Sequence, residues 1–180
     1  MIKAEHLSKT YLIKEKKHIF GKKEERKVPA VRDISLEIPK GNITGILGIN
    51  GAGKTTTIRM LSSLIAPASG TLTMDGVDAV KHHLWVKERI NIISGGERNL
   101  YWRLTARENL RYFGSLYGID RKELEKRIRE LLKTVGLEEA ADIPVERYSK
   151  GMKQRLQIAR GLINEPEYLF LDEPTLGLDI

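Results

Sequence analysis

The sequence predicts a mixed α/β fold built around a phosphate-binding loop, and three observations lead there. A short apolar run, Ile43 to Leu47, precedes the glycine-rich stretch GINGAGKTTT, so a buried strand should feed a loop and then a helix from about Lys54 to Leu64. A second apolar stretch, YLFL, ends at Asp172 and Glu173, the strand end at which open α/β sheets bind their ligands. Between the two lies a block whose apolar residues recur at helical spacing.

Taken in chain order, residues 1–11 and 31–38 (VRDISLEI) alternate as strands. The basic stretch KEKKHIFGKKEERK, residues 14–27, reads as a solvated loop between them. It holds seven Lys or Arg against three Glu and so supplies +4 of the formal net charge of +7. Contact with nucleic acid or with anionic lipid headgroups is the other reading of such a run, and no aromatic interleaving or named nucleic-acid motif adds to it. After the phosphate-loop helix, SGTLTMDGVD gives a short strand and an Asp75-Gly76 turn. Residues 81–90 suit a helix before a strand at Ile90 to Ser94.

A helical lobe follows. The pair Thr105 and Glu108 forms a capping box at the start of a helix over 106–117. A second helix over 121–135 aligns Leu124, Ile128, Leu131, Leu132 and Val135 on one face and stops at Gly136. Tyr112, Phe113 and Tyr117 sit at helical spacing and read as core, whereas Tyr101 and Trp102 in the preceding loop read as exposed or as a cover for the lobe junction. Behind YSKGMKQR, the residues Met152, Leu156, Ala159 and Ile163 define a third amphipathic helix with Ser149 as its N-cap.

Composition narrows the possibilities. With 41% hydrophobic residues, the chain can build a core, and with no cysteine it has neither a disulfide framework nor a thiolate metal site. No apolar run approaches the roughly 20 residues that cross a bilayer, and MIKAEHLSKTYLI has no signal-peptide core. Any membrane role would be borrowed from a partner.

The chemistry lies in two motifs. Gly48, Gly53, Lys54 and Thr55 match G-x-x-x-x-G-K-[ST] in a strand, loop, helix context. Glycine lets backbone N–H groups turn inward around phosphates, and the helix N-terminus adds favourable partial charge. Lys54 can reach the β- and γ-phosphates while the Thr55 hydroxyl ligates Mg²⁺. Asp172 can hold the same Mg²⁺ through its water shell, and Glu173 can orient and deprotonate an attacking water.

GINGAGKTTT, YSKGMKQR, LFLDEPT and GLD occur in the order and spacing of the nucleotide-binding subunits of ABC transporters, which this chain resembles over essentially its whole length. The resemblance implies a P-loop NTPase (RecA-like) core with an N-terminal antiparallel β subdomain and an inserted α-helical subdomain. The boundaries would be 1–94 and 155–180 for the core and 95–154 for the helical lobe. It implies ATP and Mg²⁺ as ligands, with Asn50, Gly51, Ala52 and Thr56 joining Gly48, Gly53, Lys54 and Thr55 around the phosphates. Tyr11 matches the aromatic position that stacks on adenine. Lys54 and Glu173 would be catalytic, and Thr55 and Asp172 would hold the metal.

Two segments compete for the family's signature loop, which touches the ATP of the opposite subunit in a head-to-tail dimer. YSKGMKQR opens a helix, so Ser149 and Gly151 are the signature donors. SGGERNLYW follows a strand and leads into a loop, and its likeness is superficial. At that loop position the family carries a glutamine, expected near Gly96, and here its contact is either missing or supplied by Glu97. The resemblance further implies a homo- or heterodimer, a separate membrane-spanning permease, a cytoplasmic-face location and, from the ABC-2-like signature, export. It also implies a further strand bearing a histidine beyond Asp179, which makes the chain read as a truncated cassette. The other readings are a soluble ABC-type ATPase acting on nucleic acid or the ribosome, and a nucleotide-binding fragment without turnover.

Overall fold

The computed structural model describes residues 1–16, 23–95 and 100–173. They fall into two compact units, Met1–Val86 and Lys87–Ile180.

The first unit is an antiparallel sheet carrying one helix. Strand β1 (Ile2–Lys16) pairs with β2 (Lys23–Ile38) on one side and with β3 (Ser69–Met74) on the other, and β4 (Val77–Asp78) closes the order β2-β1-β3-β4. Its inner face is the apolar set Ile2, Ala4, Leu7, Val31, Leu72 and Met74, all buried. Met74 and Val77 face each other across Asp75 (φ 50°) and Gly76 (φ 81°), the two left-handed residues that a tight hairpin turn needs. A second strained junction holds β1 to its neighbours. His6 (φ 53°) and Asp33 (φ 50°) both leave the strand geometry, with His6 Nδ1 2.7 Å from Asp33 Oδ1. Gly70 beside them (φ 92°) would drive a Cβ to 2.4 Å from the His6 carbonyl oxygen.

The basic stretch is less of a loop than its charge suggested. Pairing of β1 with β3 ends at Ser8 and Ser69, but β1 and β2 remain in register from Tyr11 and Val28 out to Lys16 and Lys23. The chain continues there as a two-stranded ribbon because Tyr11, Ile13 and Val28 favour extended backbone and every second residue can stay in water.

The apolar run Ile43 to Leu47 does not form the expected strand. It has no regular structure, and Ile43 and Leu47 are 104% and 95% exposed. Apolar character alone does not make a strand, because the backbone N–H and C=O groups also need a neighbour to pair with. Helix α1 (Lys54–Leu61) is also three residues shorter than expected. Ser63 turns left-handed at φ 52° and the Leu64 amide folds back onto the Arg59 carbonyl at 2.9 Å, which ends the helix early. Thr57, Met60 and Leu61 are the buried face of α1, which packs on β1 and β2.

The second unit joins a parallel strand pair to a helical cluster, and the chain enters it through a helix that spans the boundary at residues 86 and 87. Helix α2 (His83–Arg89) runs directly into β5 (Ile90–Ser94), which pairs with β6 (Tyr168–Asp172) in register from Ile90 and Tyr168 to Ser94 and Asp172. Helices α3 (Ala106–Leu116), α4 (Arg121–Thr134) and α5 (Lys150–Leu162) surround a core of Leu110, Leu124, Ile128, Leu132, Leu156, Ala159 and Ile163. The expected capping box is present: Thr105 Oγ1 accepts from the Glu108 amide at 3.1 Å, and the Thr105 amide donates to Glu108 Oε2 at 2.8 Å. Asp120 caps α4, and Gly136, left-handed at φ 63°, follows its end. Helix α5 approaches β5 closely at Gly161, where a Cβ would lie 2.5 Å from Ile93 Cγ1.

Candidate functional site

The phosphate loop belongs to the first unit. Gly51 (φ 83°) and Gly53 (φ 86°) are left-handed, and Gly53 is the N-cap of α1. Glycine is required at 53 for a second reason, since a Cβ there would stand 2.4 Å from the Ala30 carbonyl oxygen of β2. Among the described residues no side chain caps α1, and its first turn holds no acidic residue, so neither offsets the positive end of the helix. The Lys54 ammonium curls back over the loop and donates to the carbonyls of Gly48 (2.8 Å) and Ile49 (3.0 Å). Thr55 and Thr56 follow on the first turn, half-buried, while Gly48, Asn50, Gly51 and Ala52 are exposed. A bare helix end, two left-handed glycines and an ammonium turned into the loop form a donor set suited to a polyphosphate. Tyr11 lies on the ribbon of the same unit, 36% exposed, with Lys9 Nζ 5.8 Å from its ring centroid.

The second unit carries the remaining candidates. Asp172 ends β6 in a buried position, and its carbonyl accepts from the Gly95 amide at 2.8 Å, tying the ends of β5 and β6 together. Glu173, the next residue, is exposed and left-handed at φ 50°. That geometry is uncommon for a residue with a side chain, and turns at functional sites are where it concentrates. At the start of α5, Ser149 Oγ accepts from the Met152 amide at 3.2 Å, the expected N-cap. Gly151 is half-buried, and the space where a Cβ would stand is clear of other parts of the chain. Within each unit, then, the structure assembles a phosphate loop and, separately, an acidic strand end and a serine-capped helix. Gly96, Glu97 and Asp179 lie outside the described residues.

Sequence reasoning overlooked Asn109. It is fully buried in α3, its Oδ1 accepts from the Tyr101 amide at 2.8 Å, and its Nδ2 donates to the carbonyls of Tyr101 (3.0 Å) and Thr105 (2.9 Å). This one amide anchors the loop that presents Tyr101 and Trp102, which are 48% and 49% exposed. An asparagine at a position where the helix repeat calls for an apolar residue was the available signal. Tyr112 and Tyr117, read as core, are 42% and 40% exposed. Tyr112 instead stacks edge-on with Tyr101 at 4.9 Å, and Phe113 lies under the Arg160 guanidinium at 4.4 Å. Burial lowers the Arg160 pKa from its usual value.

A glycine-opened helix behind a phosphate loop and a strand ending in Asp-Glu define a P-loop nucleotide-binding cassette with an antiparallel β subdomain. Within that class, the chain belongs to the ABC transporter family, whose pattern it matches over residues 31–176. The ABC transporter ATP-binding protein NatA of Bacillus subtilis (strain 168) is 53% identical over 153 residues, 85% of this chain and 62% of NatA. The linearmycin resistance ATP-binding protein LnrL of the same organism is 41% identical over 179 residues, 99% of this chain and 53% of LnrL. The chain therefore spans between about half and three fifths of the length of these relatives. Among solved structures, cbiO1 from Clostridium perfringens, part of the cbiONQ transporter complex, superposes with a TM-score of 0.80 at 30% identity. That match covers 99% of this chain and 67% of cbiO1. The dimeric cassette MJ0796, in a post-hydrolysis state with ADP and Pi, gives 0.81 at 28% identity, covering 99% of this chain and 76% of MJ0796.

Proposed function

We propose that this chain is the ATP-binding part of a transporter subunit, which hydrolyses ATP in a head-to-tail dimer and drives export through a separate membrane permease. The observation that carries the reading is the uncapped N-terminus of α1, with Lys54 folded over the carbonyls of Gly48 and Ile49. From that position the ammonium can exchange carbonyl oxygens for the β- and γ-phosphate oxygens without a large movement.

Each residue then has a task. The amides of Asn50 through Thr56 surround the phosphates, and Tyr11 stacks on the base. Thr55 and Asp172 would hold Mg²⁺, which when bound supplies positive charge to the developing negative charge on the phosphoryl oxygens. Glu173 accepts the proton of the attacking water. Ser149 and Gly151 of one subunit offer a hydroxyl and an amide at a helix N-terminus to the triphosphate held by the other. In this reading the core is formed by 1–94 and 155–180, and 95–154 is the helical lobe, whose aromatic loop around Tyr101 and Trp102 receives the permease at the cytoplasmic face of the membrane. Export is the direction favoured by relatives named for linearmycin resistance and Nod factor export.

The test uses the complete protein and its Glu173→Gln variant. Phosphate release should fall at least 100-fold in the variant while ATP binding persists and a nucleotide-bound dimer accumulates on size exclusion. Unchanged phosphate release would remove Glu173 as the base.

A further inference from the structure

A cavity lies where helix α1 ends, and nucleotide chemistry makes no use of it. As the chain leaves α1, Ser63 takes a left-handed φ of 52° and its amide donates to the Met60 carbonyl at 3.0 Å. A helix exit of this kind favours glycine, and a residue with a Cβ is strained there. What serine adds is a hydroxyl. Ser63 lines a cavity of about 160 Å³ whose walls include Met60, Ile65, Leu72 and Ala79, and the exposed His83 also borders it. Ser63 Oγ is shielded from solvent and has no hydrogen-bond partner among the described residues. A strained backbone and an unpaired hydroxyl each weaken the fold, and their coincidence at one residue beside a cavity points to a ligand that pairs the hydroxyl.

We propose that this cavity binds a small neutral aromatic molecule bearing one hydroxyl, with the Ser63 side chain as its polar partner. Its size matches, since an apolar cavity of about 150 Å³ holds benzene and about 160 Å³ admits the same ring with a hydroxyl added. Its chemistry matches too. The described lining has no carboxylate, ammonium or guanidinium, so an anion or cation entering it would lose hydration without gaining a fixed countercharge. The Ser63 hydroxyl meets the ligand by turning about its one side-chain torsion between staggered positions. The site is separate from the phosphate loop, because Met60 lies six residues along α1 from Lys54, about 9 Å at 1.5 Å per residue.

The complete protein, labelled at its methionine methyl groups, is titrated with phenol, benzene and benzoate and followed by NMR. Phenol should bind saturably and shift the Met60 methyl resonance, and benzoate should bind far more weakly. Ser63→Gly removes the hydroxyl and relieves the left-handed φ. It should weaken phenol binding about fivefold, the worth of one hydrogen bond, leave benzene binding unchanged, and melt no lower than wild type. Ser63→Ala keeps the Cβ and should weaken phenol to the same extent, which separates the lost hydroxyl from an altered backbone. No saturable phenol binding by wild type, a shift that spares Met60, benzoate binding as tight as phenol's, or unchanged phenol affinity in both Ser63 variants would each overturn the proposal.

Discussion

The proposed function gives Ser149 a second job beside its helix cap, and two substitutions at that one position distinguish them. Its Oγ accepts from the Met152 amide at 3.2 Å, so Ser149→Ala removes the N-cap of α5 and should cost about 1 kcal/mol. In a chain of 180 residues that lowers the melting temperature by about 2–4 °C. Ser149→Asp keeps a capping oxygen and adds a negative charge at the positive end of the helix, favourable by about 0.3–1 kcal/mol, so its melting temperature should equal or exceed wild type. Catalysis should rank the two differently. On the proposed function, the alanine variant would lose one contact to the partner's triphosphate and should turn over ATP about 100-fold more slowly, while the aspartate variant would set a carboxylate against the phosphates and should be at least as impaired. Thermal melts by circular dichroism and phosphate release by the complete protein give the two readings. An aspartate variant that hydrolyses ATP at the wild-type rate would refute a serine facing the phosphate, whatever its stability.

Gly53→Ala should abolish binding of a fluorescent ATP analogue, because its Cβ meets the Ala30 carbonyl oxygen at 2.4 Å and φ is 86°; titration measures this. Asn109→Leu removes the partner of the Tyr101 amide, while the Tyr101 and Thr105 carbonyls keep the backbone amides of Leu104 and Asn109. It should destabilise by about 1–3 kcal/mol, read by urea denaturation. Leu110→Ala, at a fully buried core position, should cost about 2–5 kcal/mol in the same assay. Acid should loosen the helical part. The Arg107 guanidinium lowers the pKa of Asp142, and the Thr105 backbone and hydroxyl lower that of Glu108. Carboxylates depressed in the folded state contribute stability above their unfolded pKa, near 4, and lose it as pH falls through the folded value. Melting temperature should therefore hold from about pH 7 to 5 and fall below about pH 4, and Arg107→Ala should flatten that fall.

Signals that act within a few residues were readable in advance. Thr105 and Glu108 are three residues apart, Ser149 precedes its helix directly, and Asp75-Gly76 can turn only one way, so each reports its own local geometry. Lys54 following Gly53 is of the same kind. Two expectations failed because they rested on side-chain character without knowledge of neighbours. Ile43 to Leu47 is apolar enough for a buried strand yet is solvent-exposed, and the charged residues past Tyr11 continue as strand. In both cases the deciding quantity was whether a second backbone lay about 5 Å away to share hydrogen bonds.

By itself the sequence determined the chemistry: a glycine loop for phosphates, two carboxylates in a row, and a serine at a helix start, all defined by covalent neighbours. Tertiary structure alone decided that Ala30 excludes any side chain at 53 and that Asn109 anchors an aromatic loop. Those facts join residues up to dozens of positions apart, and only pairing and packing of the folded backbone can bring such residues within reach of one another.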